Sequence, residues 1–111
     1  MDTQGVIIID TDRRICVLSP GAESLLDWRA LQVWGLTCSV VLDCRGADGE
    51  PLCTTCGINQ ALERHELTSS VVMRMADPSG GRRAMATSFW YLPPSGKIFA
   101  PRAMAVLTST S

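Results

Sequence analysis

An α+β domain, one antiparallel sheet with helices over one face, is the fold class this sequence predicts. Strand-like segments bracket the chain, two at its start and three at its end. The middle instead has the caps and apolar spacing of short helices, and elements segregated in this way pack as a sheet with a helical layer. The length of 111 residues supports one core and not two. Hydrophobic residues make up 46% of the chain and aromatic ones 5%, a composition that suits a compact globule.

Residues 5–10 (GVIIID) form a continuous β-branched run, too short for a helix and typical of a buried strand. A polar turn at 11–14 leads to a second short strand at 15–18, completing a hairpin. Ser19-Pro20 starts a helix, because serine caps unpaired backbone N–H groups and proline at the first helical position lacks only a donor that would be unpaired anyway. Ala22, Leu25 and Leu26 give that helix one apolar face as far as Asp27. A brief helical piece is expected over 28–34, stopped by Gly35. Thr37 caps another that carries Val40, Val41 and Leu42. Residues 45–51 (RGADGEP) are a loop with an Asp-Gly turn. Thr55 is a third cap candidate, leading into Ile58, Ala61 and Leu62 and ending near His65.

Beyond Glu66 the period changes to two. Residues 67–76 alternate over Val71, Met73 and Met75, residues 77–81 (DPSGG) turn, and 82–92 form a long strand broken by Pro93-Pro94. The last strand covers 103–108, with Pro101 excluded from a central ladder position.

Ten basic residues against eleven acidic ones leave no electrostatic footprint for nucleic acid or an anionic membrane. Neither is expected as a direct partner. The start MDTQGVIII lacks a basic leader, and no run approaches the roughly 20 apolar residues of a membrane-crossing helix. A cytoplasmic location with reduced thiols is expected, and a single domain over 1–111 excised from a larger signalling protein.

Four of the five cysteines, Cys38, Cys44, Cys53 and Cys56, fall within one short stretch. Thiolates are soft ligands for zinc or an iron–sulfur cluster, and four complete a tetrahedral site. The two-residue gap of Cys53-Thr54-Thr55-Cys56 lets both sulfurs reach one metal. Cys38 and Cys56 are each expected one residue after a threonine cap, where a helix N-terminus favours thiolate. Metal binding, redox-labile thiols or a disulfide, and plain packing as small hydrophobes all remain open. Cys16, far away in the second strand, is expected in the core.

The residues GVIIIDTDRRICVLSPGAESLLDW, the segment GLTCSVVL, the hairpin VVMRMADPSGGRRAMATSFWYL and the final AMAVLT together resemble a PAS domain over nearly the whole chain. The resemblance implies a PAS-like five-stranded antiparallel sheet in the order 2-1-5-4-3 with short helices over one face. It also implies a sensor of ligand, light, redox state or partner, joined to an effector such as a histidine kinase or a transcription regulator. Ser19 stands where that family often has Asn, and Leu107-Thr108-Ser109 where it often ends in Asp-Ile-Thr.

Trp28, Trp34, Met73 and Phe89 are candidates to line a ligand pocket between sheet and helices, which in such sites is mostly apolar. Of Trp90 and Tyr91 only one can face the helices. The other would lie on the outer sheet face, where the resemblance implies that a second copy or a flanking helix packs; a homodimer through that face is expected, and an exposed aromatic there would signal it. His65, the one histidine, sits at the polar end of its helix, so haem is not expected. The resemblance makes a flavin possible, but the light-sensing subgroup of that family keeps its reactive cysteine in an Asn-Cys-Arg-Phe-Leu run, and with no such run here flavin is not expected either. No Gly-rich phosphate loop, His-Glu-x-x-His or nucleophile–histidine signature supports an enzyme. The function expected is a non-enzymatic PAS sensory domain that relays a small ligand, redox state or partner to an effector outside this chain. The alternatives are a cysteine-based metal or iron–sulfur redox switch and a ligand-free dimerisation module.

Overall fold

Strand β5 (Arg102–Ser109) occupies the centre of the molecule, hydrogen-bonded on one side to β1 (Gln4–Asp10) and on the other to β4 (Arg82–Leu92). With β2 (Ile15–Leu18) and β3 (Val71–Ala76) outermost, the sheet is antiparallel throughout in the order β2-β1-β5-β4-β3. This is the predicted order. The computed structural model describes residues 4–52, 56–68, 70–94 and 101–110.

Side chains two apart share a sheet face, and one face is apolar and closed. Ile7, Ile9, Met73, Met75, Met85, Phe89, Ala103, Ala105 and Leu107 are all buried there. Thr87 is buried among them, its Oγ1 donating to the carbonyl of Met85 at 3.1 Å. Across this face lie four short helices, α1 (Pro20–Leu26), α2 (Ala30–Val33), α3 (Cys38–Leu42) and α4 (Gly57–Arg64).

Helix α1 begins as the sequence predicts. Ser19 Oγ accepts from Ala22 N at 3.2 Å and also from Val6 N at 2.9 Å, so one hydroxyl caps the helix and fastens it to β1. Gly5 permits the contact, since a Cβ there would lie 2.6 Å from the Ala22 backbone. Asp27 ends the helix in the left-handed conformation.

The middle of the chain also covers both edges of the sheet. Along β2, Ile15 N donates to Leu36 O (2.9 Å), Gly35 N to Ile15 O (2.8 Å) and Cys38 N to Arg13 O (2.8 Å). Along β3, Arg45 and Arg74 exchange backbone hydrogen bonds of 2.9 and 2.8 Å. Bare strand edges invite intermolecular pairing, and here each is occupied at these positions. The β3–β4 turn is held by Asp77, whose Oδ1 accepts from the backbone N and hydroxyl of Ser79 and from Gly81 N. Arg83 joins Asp77 Oδ2 (3.2 Å) to the Leu25 carbonyl (2.8 Å), tying the hairpin to α1.

Three details differ from expectation. Strand β3 starts at Val71 and not at residue 67, because Thr68 takes its bonds from β4 differently. Its N donates to Phe89 O, while its side-chain Oγ1 accepts from Phe89 N. Cys16 is not core. The β1–β2 register slips between Ile8 and Ile9, leaving Cys16 as the extra residue of a bulge, half-buried beside Asp10 and Arg102. Burial, then the Asp10 carboxylate, push its thiol pKa up. Finally, the N-cap position of α4 is held by Cys56.

Candidate functional site

Helix α4 is eight residues long and lies between two cavities. Ile58 and Ala61 anchor it, 3% and 0% exposed. Its approach to the sheet is close: a Cβ on Gly57 would stand 2.7 Å from the Phe89 ring. At its C-terminus His65 adopts the left-handed conformation and stacks on Tyr91, ring centroids 3.9 Å apart. Tyr91 is thus the member of its pair that meets the helices, and Trp90 is the exposed one on the outer face.

The first cavity, about 310 Å³, opens between α4 and the β3–β4 pair. Met73 and Phe89 form its apolar floor, Gly57 and Gln60 the α4 wall, with Leu52 and Thr68 at the sides. Two of the four residues expected to line a pocket therefore share one. Trp28 lies elsewhere, half-buried against the core with its indole N–H donating to Ala76 O at 2.9 Å. Trp34 is 71% exposed and reaches neither cavity. Adjacent residues of a helix are rotated by roughly 100°, so when Val33 turns inward, 1% exposed, Trp34 is carried outward.

The second cavity, about 190 Å³, brings together Cys38 from the start of α3, Cys44 from the following loop and Cys56 from the cap of α4. Cys44 is buried, while Cys38 and Cys56 are half-buried, and all three are thiols and not disulfides. The fourth cysteine of the predicted set, Cys53, lies outside the described residues, as does Thr55. Among the described residues no group of three or more His, Cys, Asp or Glu side chains is arranged to hold a metal ion.

The sequence reading missed two polar residues of this cavity, Arg13 and Asn59. Arg13 occupies the β1–β2 turn with φ of 65°, a conformation that costs a side-chain-bearing residue roughly 1–2 kcal/mol. From there its guanidinium reaches α4, donating from Nε (3.1 Å) and Nη2 (2.8 Å) to Asn59 Oδ1, with Nη1 on Thr11 O at 3.0 Å. Glu63 adds a looser contact of 3.8 Å. Only the polar turn was visible in sequence; nothing there signalled a partner 46 residues away.

Beyond the cavities, Asp43 joins Arg82 to Arg45, and the Arg82 hydrogen bond is the first cause holding its carboxyl below the ordinary range.

No protein-family model matches the chain, and no curated protein matches it. Solved structures do. A fungal light-oxygen-voltage (LOV) domain photoreceptor superposes with a TM-score of 0.75 at 16% identity, covering 98% of this chain and 76% of that one. The PAS domain of a protein from Colwellia psychrerythraea gives 0.74 at 14% identity, over 97% of this chain and 86% of that one. A light-oxygen-voltage domain studied with a flavin analogue gives 0.72 at 22% identity, over 97% and 78%. This chain has the PAS fold.

Proposed function

We propose that this PAS-fold chain is a sensory module, without catalysis of its own, that responds to a small ligand beside α4. It passes the change to an effector outside the chain, a histidine kinase or a transcription regulator. The supporting observation is the position of α4, one helix flanked by two cavities and resting on the long strand β4 through the tight Gly57–Phe89 contact. A ligand that prefers one position of that helix shifts its population, and differential affinity is the whole driving force. We also place the chain in the cytoplasm, where thiols stay reduced; no helix among the described residues is long and apolar enough to cross a membrane.

The test is a fragment screen read by NMR. Binders should shift the Met73 methyl and the α4 amides, and Gln60→Trp, which fills the larger cavity from an exposed helix position, should abolish the shifts. Binders that shift only other regions, or that survive Gln60→Trp unchanged, would overturn this reading.

Flavin fits poorly here. The space under the helices is divided in two by α4, with Met73 and Phe89 on the floor of one cavity and Ile58 in the wall of the other. The meeting of Cys38, Cys44 and Cys56 at one cavity favours a second reading, a cysteine-based redox switch. Thiolates are the right donors for zinc or an iron–sulfur cluster, but these three are not arranged to share a metal ion. Purification without oxygen, followed by metal analysis and an absorption spectrum, decides between the readings.

For a partner, we propose a second copy on the outer sheet face. There Val17, Ile8, Met104 and Trp90 lie side by side in register across β2, β1, β5 and β4, with Val17 41% and Trp90 42% exposed. An exposed apolar row of this kind marks an interaction surface. Trp90→Arg should shift sedimentation from dimer to monomer, and a wild-type chain that sediments as a monomer at high concentration would contradict the pairing.

A further inference from the structure

The cysteine-lined cavity has a composition that ligand binding in the larger cavity does not use. Ile58 gives it a hydrocarbon wall, Cys38, Cys44 and Cys56 line it with sulfur, and Ser39, Asn59 and the Arg13 guanidinium supply its polar groups. At about 190 Å³ it holds roughly six waters' worth of space, enough for a small organic molecule and too little for a drug-sized one. The described sulfurs are not gathered for a shared metal. The cavity therefore suits a ligand that needs one sulfur, an apolar wall and one hydrogen-bond donor.

Arg13 is that donor. Three of its five N–H groups are directed to Asn59 and Thr11, and Nη2 also stands 3.8 Å from Glu63, which leaves one N–H of Nη1 for a ligand. Cys38 lines the same cavity as Arg13, and its backbone N donates to the Arg13 carbonyl at 2.8 Å. The thiolate is the reactive form of a cysteine. Arg13 is also kept in the left-handed conformation, and strain of that kind collects where a side chain must be aimed.

We propose that this cavity is a covalent capture site for small α,β-unsaturated carbonyl compounds, with Cys38 or Cys56 as nucleophile and Arg13 as the carbonyl's hydrogen-bond donor. The sulfur adds to the β-carbon, and the π electrons of the C=C bond move onto the carbonyl oxygen as an enolate facing Arg13. The proton given up by the thiol returns at the α-carbon. One C–S and one C–H bond form, one S–H bond and one C=C π bond break, and no oxidant is required. Because Cys56 is the cap of α4 and Cys38 opens α3, an adduct on either alters the seat of a helix in the sensory layer. The inference thus rests on the sensory reading and supplies the ligand class for its cysteine side.

The experiment uses the reduced full chain with limiting methyl vinyl ketone, followed by peptide mapping of each cysteine. Cys16 on the opposite face serves as the internal reference. Cys38 or Cys56 should react about tenfold faster than Cys16, as expected where charge and access favour one thiolate. The preference should vanish in urea and fall in Arg13→Gln, with Arg13→Lys retaining most of it. An adduct mainly on Cys16 or Cys53, a preference that persists in urea, or no effect of Arg13→Gln in a folded variant would overturn the proposal. Adduct formation is read on sulfur, so it stands or falls separately from signalling, which is read by whether the adduct shifts the α4 amides.

Discussion

The two layers of this molecule are built to different standards. In the sheet, β1, β5 and β4 pair without interruption from Gln4↔Thr108 to Asp10↔Arg102 and from Met85↔Ser109 to Leu92↔Arg102, and Ile7, Ala103 and Leu107 are wholly buried. In the helical layer no helix exceeds eight residues, three of the four end on a left-handed residue, and Leu31, Trp34 and Val40 stand 96%, 71% and 77% exposed. Helices this short do not hold themselves together and depend on what they pack against. In the proposed sensor the sheet is the platform, and the thinly packed cover is where a signal would act at low cost. Local opening draws on segments with few buried contacts.

Substitutions can break this contrast. The largest effect is expected at the platform's centre, where Leu107→Ala should cost about 2–5 kcal/mol in urea unfolding. A loss under 1 kcal/mol would mean the platform is not where stability resides. Next is the seam between the layers. Gly5→Ala drives a Cβ into the Ala22 backbone, so α1 must lift off β1, at an expected cost of about 1–3 kcal/mol. Ser19→Ala removes one acceptor serving two backbone donors and should cost about 1–2 kcal/mol by the same measurement.

A pH titration sharpens the comparison at the hairpin. The Ser79 hydroxyl, then its backbone N–H, Arg83 and Gly81, hold the Asp77 carboxyl below its ordinary value. A depressed folded pKa contributes stability that is present above the unfolded value, near 3.9. That contribution is lost as pH falls through the folded one, because there the unfolded chain binds more protons. Asp77→Asn should therefore flatten the loss of stability below about pH 4. The smallest effect is expected on the open side of the cover. Leu31→Ser and Val40→Ser should change stability by no more than about 0.5 kcal/mol despite removing large apolar groups.

How much was legible in the sequence follows the same division. Period-two burial, the Ser19-Pro20 start and the Asp77–Gly81 turn are local signals, so the strands and α1 fall within a residue or so of expectation, apart from the start of β3. The site was only half legible. The meeting of Met73 with Phe89 and of Cys38 with Cys44 and Cys56 follows from sheet order and from the cysteines' closeness in sequence. Arg13 escaped notice because its partner Asn59 is distant in sequence and its aim depends on one left-handed dihedral. Cys16 was misplaced because a bulge shifts the alternation that a run such as ICVL suggests. Trp34 was misplaced because a four-residue helix has no periodicity to read.

Native-state hydrogen exchange reads the stability of the two layers amide by amide. If the helical layer is the responsive part, amides of α4 will exchange through a local opening with a free energy well below that of β1, β4 and β5, whose amides will exchange only on global unfolding. Equal protection in α4 and β5, moving together as denaturant is added, would contradict the account.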